Sequence, residues 1–312
     1  MPEPAALPND RGTVVTVGTF DGVHLGHREV LQEIGRRARS ADRRSLLVTF
    51  EPHPLEVVNP RAAPSLLTLA QERREFLAQC DIDIVVFMRF TEALSQYSPE
   101  AFVRLLLERF HMEELVIGHD HGFGRGRRGD AGLLRKLGVQ LGFSVDVVDE
   151  VGVQGIPVSS TLVRRAVAGG DLETAATLLG RSYSVTAPVV QGARRGGRML
   201  GYPTINLAQP DPRKLLPPDG VYAVWAEWAG GSSGGMMNQG PRPTFGETER
   251  SLEAHLFDVA DDLYDVTVKL SWVARLRGVR RFPSAEALKD QLDQDFDAAQ
   301  AALTRWHGHT SH

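Results

Sequence analysis

At 312 residues, with 42% hydrophobic and 24% charged side chains, the chain has material for two ordinary domains and a well-filled core. A formal charge of −4 argues against sequence-independent binding to a nucleic-acid backbone, and the single cysteine, Cys80, excludes an intramolecular disulfide and a multi-cysteine zinc site. The opening MPEPAALPNDRG lacks a charged-then-apolar design and no apolar run approaches the ~20 residues of a membrane span, so the expectation is a cytoplasmic protein without a membrane partner.

Short β-branched runs at Val14 to Thr19, Ser45 to Phe50, Ile82 to Met88, Leu115 to Gly118 and Phe143 to Val148 read as strands buried on both faces. Between them, Arg28 to Arg39, Leu69 to Gln79, Pro99 to Phe110 and Ala131 to Leu141 carry apolar residues at helical spacing. Pro99 suits a first helical turn and Ser98 its N-cap. Cys80 falls in an apolar-patterned stretch and reads as a buried structural thiol. This alternation implies an α/β domain, a parallel sheet with helices on both faces, whose ligands sit at the carboxyl ends of the strands.

After Gly180 the helical periodicity stops. Gly and Pro clusters separate Tyr183 to Val190, Val221 to Trp228, Leu252 to Phe257 and Val266 to Val273, the pattern of a small antiparallel barrel or sandwich. An amphipathic helix from Ser284 to Leu303 follows, and the tail WHGHTSH reads as a frayed end. The expected division is residues 1–180 and 181–312, set by the change of pattern alone.

Gly18-Thr-Phe-Asp-Gly-Val-His-Leu-Gly-His27 joins the first strand to the first helix. Gly18 and Gly22 permit a tight turn and a close approach of backbone to ligand. His24 and His27, three apart at the helix start, share a face, and the helix N-terminus favours an anion there. The plainer alternative has one histidine capping the helix and the other facing water.

His-x-Gly-His at the first strand–helix junction resembles the nucleotidyltransferase superfamily of α/β phosphodiesterases. A second signature, Ser159-Ser160-Thr161-Leu162-Val163-Arg164, lies late in the domain. Its hydroxyls and helix N-terminus suit the β- and γ-phosphates of ATP, with Arg164 as a permanent counter-charge. With Phe50-Glu51-Pro52-His53-Pro54 and Gly118-His119-Asp120-His121-Gly122-Phe123-Gly124, the set is similar to the FMN adenylyltransferase domain of the prokaryotic bifunctional riboflavin kinase/FAD synthetases. The resemblance implies a Rossmann-like domain in which FMN phosphate attacks the α-phosphorus of ATP and pyrophosphate leaves. Within it, His27 and Arg164 would be catalytic, Gly18, Phe20, Asp21, His24, Asp120, Ser159, Ser160 and Thr161 would hold ATP or its phosphates, and His53 and Phe123 would meet the flavin. The chain departs from the family at His121, where an aromatic is usual, and at Gly122, where a basic residue is.

The second half carries Gly192-Ala-Arg-Arg-Gly-Gly-Arg-Met-Leu-Gly201-Tyr-Pro-Thr-Ile-Asn206. A glycine-rich loop with Arg198 among its cations can wrap polyphosphate, although it is no Walker A loop. Thr204 and Asn206 alternate along a strand-like segment, so their oxygens face one side and suit Mg²⁺. Pro-Thr-x-Asn after such a loop resembles the riboflavin kinase domain, a small antiparallel β-barrel, with Ile205 where alanine is usual. The resemblance implies that Glu253 is the general base for the ribityl 5′-hydroxyl. It places Gly192, Arg198 and Gly201 on ATP, Thr204 and Asn206 on Mg²⁺, and Asn238 and Arg242 near the flavin. Tyr202 and Phe245 are further aromatic candidates for the ring. Val279 stands where the family commonly has glutamate.

The two resemblances together cover nearly the whole chain and imply one enzyme that makes FMN from riboflavin and then FAD from FMN. ATP is the co-substrate and Mg²⁺ the cofactor at both sites. Partners would be small molecules rather than nucleic acid, and the protein a monomer or weak homo-oligomer. Three alternatives are weaker: an adenylyltransferase whose second half only binds flavin, an adenylyltransferase for another phosphate, and a flavin-sensing regulator, which the −4 charge disfavours.

Overall fold

The computed structural model describes residues 6–118, 130–149, 152, 153, 155–191, 202–242, 247–259 and 262–306, with the backbone alone at 241, 242 and 247–249. The chain divides into two compact units, residues 1–160 and 161–312.

In the first unit β1 (Thr13–Val17) leads to α1 (Leu25–Ser40), β2 (Arg44–Glu51), α2 (Pro54–Val58) and α3 (Ala70–Ala78). Then come β3 (Ile84–Arg89), α4 (Glu92–Ser95), α5 (Pro99–Phe110), β4 (Met112–Gly118), α6 (Ala131–Leu141) and β5 (Ser144–Val148). The five strands form one parallel sheet in the order β3-β2-β1-β4-β5. Period-two alternation sends Val15, Val17, Leu46, Val48 and Leu115 into a core with Phe102, Leu106, Phe110 and Leu134 of α5 and α6. Val14, Leu47 and Val116 point the other way, into a core with Leu31 and Ile34 of α1 and Phe76 and Leu77 of α3. The two-sided burial expected from the β-branched runs is met in β1, β2 and β4, whereas β3 and β5, at the two edges of the sheet, are mostly only half-buried. Ser98 caps α5 through Ala101 N, with Pro99 in the first turn. Cys80 is only partly buried; it packs beside the second core, and its Sγ reaches the Phe76 carbonyl at 3.4 Å. A short hairpin, β6 (Gly152–Val153) and β7 (Ile156–Pro157), ends the unit.

From Thr161 on, the second unit takes in α7 (Ser160–Gly169), a helix start that the Ser159–Arg164 run implied, and α8 (Leu172–Leu179), which the sequence left unassigned. Its remaining strands are β8 (Ser184–Val190), β9 (Ile205–Leu207), β10 (Gly220–Trp228), β11 (Gly231–Arg242), β12 (Glu247–Leu256) and β13 (Thr267–Arg277). They close into an antiparallel barrel in the order β10-β11-β12-β9-β8-β13, which removes every open sheet edge. Helix α9 (Ala285–Arg305) is capped by Ser284 through Ala287 N and lays Ala299 and Ala302 over Ala223 and Met236 of the barrel. Arg277 grips Asp295, 3% exposed, with Nη2 to Oδ2 at 2.7 Å and so fixes α9 to β13. By packing, α7 and α8 belong with the barrel, α8 lying against β13, whereas the texture of the sequence changes only at Gly180. Residues 307–312 of the tail lie outside the described residues.

Candidate functional site

The turn after β1 is held in a costly backbone. Phe20 and Val23 have φ of 47° and 39°, the left-handed region that side chains other than glycine avoid, and Gly22 between them has φ of 85°. What holds it is Asp21, fully buried, whose carboxylate accepts from Leu67 N, Thr68 N and Thr68 Oγ1, each at 2.9 Å. Thr68 Oγ1 in turn accepts from Gly22 N at 3.0 Å, and Ser160 Oγ donates to the Asp21 carbonyl at 2.9 Å. The Asp21 side chain is thus committed to the turn.

That turn delivers two histidines. His24 is the N-cap of α1: its Nδ1 accepts from His27 N at 3.2 Å. An Nδ1 that accepts a backbone N–H carries no proton, so the imidazole hydrogen sits on Nε2 and is a donor. The rings of His24 and His27 stack at 3.6 Å, and Phe20 stacks on His27 at 4.5 Å. The Phe20 ring also lies 2.9 Å from where a Cβ on Gly18 would stand, so position 18 has room for hydrogen only. The plainer alternative for the pair is half realised: His24 does cap the helix, while remaining 5% exposed beside its partner.

From the neighbouring strand, His53 repeats the device. It is 8% exposed and caps α2, its Nδ1 accepting from Leu55 N at 3.2 Å, which again leaves Nε2–H as donor. Beside it, Val57 and Val58 of α2 face Glu92, Ala93 and Ser95 of α4 and Gln96, its C-cap, across a cleft of about 370 Å³. The two turns leave the carboxyl ends of adjacent parallel strands, where a ligand of such a sheet belongs. Fixed imidazole donors and the start of a 16-residue helix suit an anionic, phosphate-bearing ligand. Ser159 is half-buried, Thr161 is exposed, and Arg164 follows one turn along α7 in the second unit. Asp120, Phe123 and the departures at His121 and Gly122 lie outside the described residues.

In the barrel, strand register does the assembling. Glu253 on β12 is paired with Asn206 on β9 and with Asn238 on β11. Residues opposite one another across antiparallel strands put their side chains on the same face, so Asn206, Glu253 and Asn238 form one row. Their neighbours Leu207, Leu252 and Ala254 point the other way and are buried, 3% exposed or less. Thr204, two residues before Asn206, donates its hydroxyl to Glu253 Oε1 at 2.5 Å. An anionic and two neutral oxygen donors on one face fit a hard divalent cation that keeps part of its water.

The segment before Thr204 is anchored from behind. Tyr202 donates its hydroxyl to Asp293 of α9 at 2.5 Å, and His255 Nδ1 donates to the Pro203 carbonyl at 2.7 Å. Burial and the Asp293 carboxylate push the Tyr202 phenol up to about 12. Tyr202 thus serves as a support. Gly192, Arg198, Gly201, Phe245 and the Arg242 side chain lie outside the described residues, and Val279 is half-buried just past β13. The supports Thr68, His255 and Asp293 were not foreseen, because each acts through a partner distant in sequence and carries no local pattern.

Comparison with known proteins agrees with both halves. The sequence model of the FAD synthetase family matches residues 6–162, and that of the riboflavin kinase family matches residues 179–303. The bifunctional riboflavin kinase/FMN adenylyltransferase of Escherichia coli K12 is 37% identical over 91% of this chain and 90% of its own, and that of Pseudomonas fluorescens is 38% identical over 94% of each. This chain belongs to the bifunctional riboflavin kinase/FMN adenylyltransferase family. It carries both domains of that family, the first on the parallel sheet and the second on the barrel. A Streptococcus pneumoniae structure described as a macrolide-efflux protein has the same fold, with a TM-score of 0.84 and 28% identity over 96% of each chain. Among the described residues of this chain, no helix is long and apolar enough to cross a membrane.

Proposed function

We propose that riboflavin is phosphorylated on the outer face of the barrel and that the FMN so formed is adenylylated at the carboxyl ends of the first sheet. The observation that carries the kinase assignment is the row Asn206, Glu253, Asn238 with Thr204 bonded to Glu253. Glu253 accepts the proton of the ribityl 5′-hydroxyl as that oxygen bonds to the γ-phosphorus of ATP and ADP leaves. Thr204 and Asn206 would hold Mg²⁺, which when bound supplies charge neutralisation on the phosphates. Asn238 steers the flavin, joined on this reading by Arg242. Gly192, Arg198 and Gly201 belong to the polyphosphate loop.

At the first site no protein nucleophile is required. A phosphate oxygen of FMN bonds to the α-phosphorus of ATP, and the bond to the bridging oxygen of pyrophosphate breaks. His24 and His27 donate to the phosphates, Arg164 with Ser159 and Thr161 balances the charge of the leaving group, and His53 orients FMN. Gly18 and Phe20 shape the floor of the phosphate site. Asp21 and Ser160 support it from below, and Asp120 and Phe123 belong to its adenosine and flavin edge. The functional boundary falls at Gly180, so that the first catalytic domain includes α7 and α8. ATP as co-substrate at both sites supports a cytoplasmic location. Partners are ATP, riboflavin and FMN, and the protein acts as a monomer or weak homo-oligomer.

Two variants test the assignment separately. Glu253→Ala should abolish FMN formation, a loss of about 10²- to 10⁴-fold, and spare FAD formation from supplied FMN. His27→Ala combined with Arg164→Ala should do the reverse. Loss of both activities in either well-folded variant contradicts two independent sites.

A further inference from the structure

Both strand-end turns of the first site are tied to one side chain that the chemistry above does not use. Arg73, on α3, is 2% exposed. Its Nη1 donates to the Thr19 carbonyl at 3.1 Å, and its Nη2 donates to the Phe50 carbonyl at 2.8 Å and to Glu51 Oε2 at 2.6 Å. Thr19 opens the turn that ends in His24 and His27, while Phe50 begins the run that ends in His53. A guanidinium is a planar fork with its two Nη atoms at fixed separation, so carbonyls that share it are held at one spacing. Thr49 Oγ1 donates to the same Thr19 carbonyl at 3.0 Å, a second tie between this turn and β2. Glu51 neutralises the fork, and the Phe87 ring on β3 lies 5.5 Å from its central carbon.

We propose that Arg73 is a positioning residue for adenylyl transfer, fixing the spacing between the His24–His27 turn and the His53 turn and hence between the imidazoles that meet the two substrates. The inference rests on the adenylyltransferase reading of that site. Displacement of reacting groups by about 1 Å costs up to ~10²-fold in rate, so the clamp has a measurable consequence. Lysine keeps the charge but is a point donor without the fork, and satisfies the two carbonyls less well.

The test uses the full chain as wild type, Arg73→Lys and Arg73→Gln. For each, kcat and KM of FAD formation from FMN and Mg-ATP are measured, with FMN bound per chain from fluorescence quenching and riboflavin phosphorylation in the same preparation. The expected result is a fall in kcat of about 10- to 100-fold in Arg73→Gln and a smaller fall in Arg73→Lys. Bound FMN and riboflavin phosphorylation stay at wild-type values. A fall in bound FMN proportional to the fall in kcat would reduce Arg73 to a purely structural residue and overturn the inference, as would a wild-type kcat in both variants. If Arg73→Gln does not fold, Arg73→Lys decides by the same criterion. Absence of FAD formation in the wild type would instead refute the adenylyltransferase reading itself.

Discussion

Asp21→Asn measures what holds the strained turn of the first site. The substitution keeps shape and volume but turns one acceptor oxygen into an NH₂ group. With the remaining oxygen kept on Thr68, the amide group faces the Leu67 N–H, so a bond of 2.9 Å is lost and a buried donor is left facing another donor. A hydrogen bond to a charged acceptor contributes about 1.5–3 kcal/mol and an orphaned buried donor costs about 1–3 kcal/mol, which together put the loss at roughly 2.5–6 kcal/mol. For a unit of this size 1 kcal/mol moves the midpoint by about 2–4 °C, giving a drop of about 5–24 °C. The assay is thermal inactivation of FAD formation, with riboflavin phosphorylation in the same samples as control. A shift below about 2 °C, or an equal shift in both activities, would refute the view that Asp21 locks this turn.

Three further outcomes are expected. Thr204→Val removes the hydroxyl bonded to Glu253 and should raise the Mg²⁺ concentration for half-maximal riboflavin phosphorylation about tenfold, the equivalent of ~1.4 kcal/mol, without affecting FAD formation from FMN. Gly235→Ala places a Cβ 2.5 Å from the His255 carbonyl oxygen on the paired strand, and should destabilise the barrel by about 1–3 kcal/mol in chemical denaturation. Glu33 is held at about 2 instead of its ordinary 4.5, chiefly by Arg36 and then by Arg37. Its folded form binds protons more weakly than its unfolded form, so this contribution is complete above pH 4.5 and is lost as the pH falls towards 2. With its side chain 22% exposed, screening leaves ~1 kcal/mol, and Glu33→Gln should flatten the acid limb of the stability profile in that window.

The parallel sheet was legible because buried parallel strands write themselves as unbroken β-branched runs, such as Thr13–Val17, and amphipathic helices as spaced apolar residues. The barrel was legible only in part. β11, Gly-Ser-Ser-Gly-Gly-Met-Met-Asn-Gln-Gly-Pro-Arg, has the composition of a loop, yet it is a 12-residue strand. Its glycines answer to tertiary contacts: a Cβ on Gly234 would stand 2.6 Å from Leu303 of α9, and one on Gly235 would meet β12. Propensity gives way there to close packing. Helices α2, α4, α7 and α8 are short and left no clear period. For the sites, motif spacing indicated His24, His27 and the Thr204–Asn206 pair. The partners that hold them, Thr68 for Asp21 and Asp293 for Tyr202, are 47 and 91 residues away in sequence. No local pattern reports a contact of that span.

Two separate flavin chemistries on one chain are tested by chromatography of flavin products after incubating the purified protein with riboflavin and Mg-ATP, beside a parallel reaction given FMN. FMN and FAD from riboflavin, with FAD from FMN, is the predicted result. FAD from supplied FMN alone would leave the barrel without kinase activity and turn attention to Val279; no product in either reaction would contradict the account.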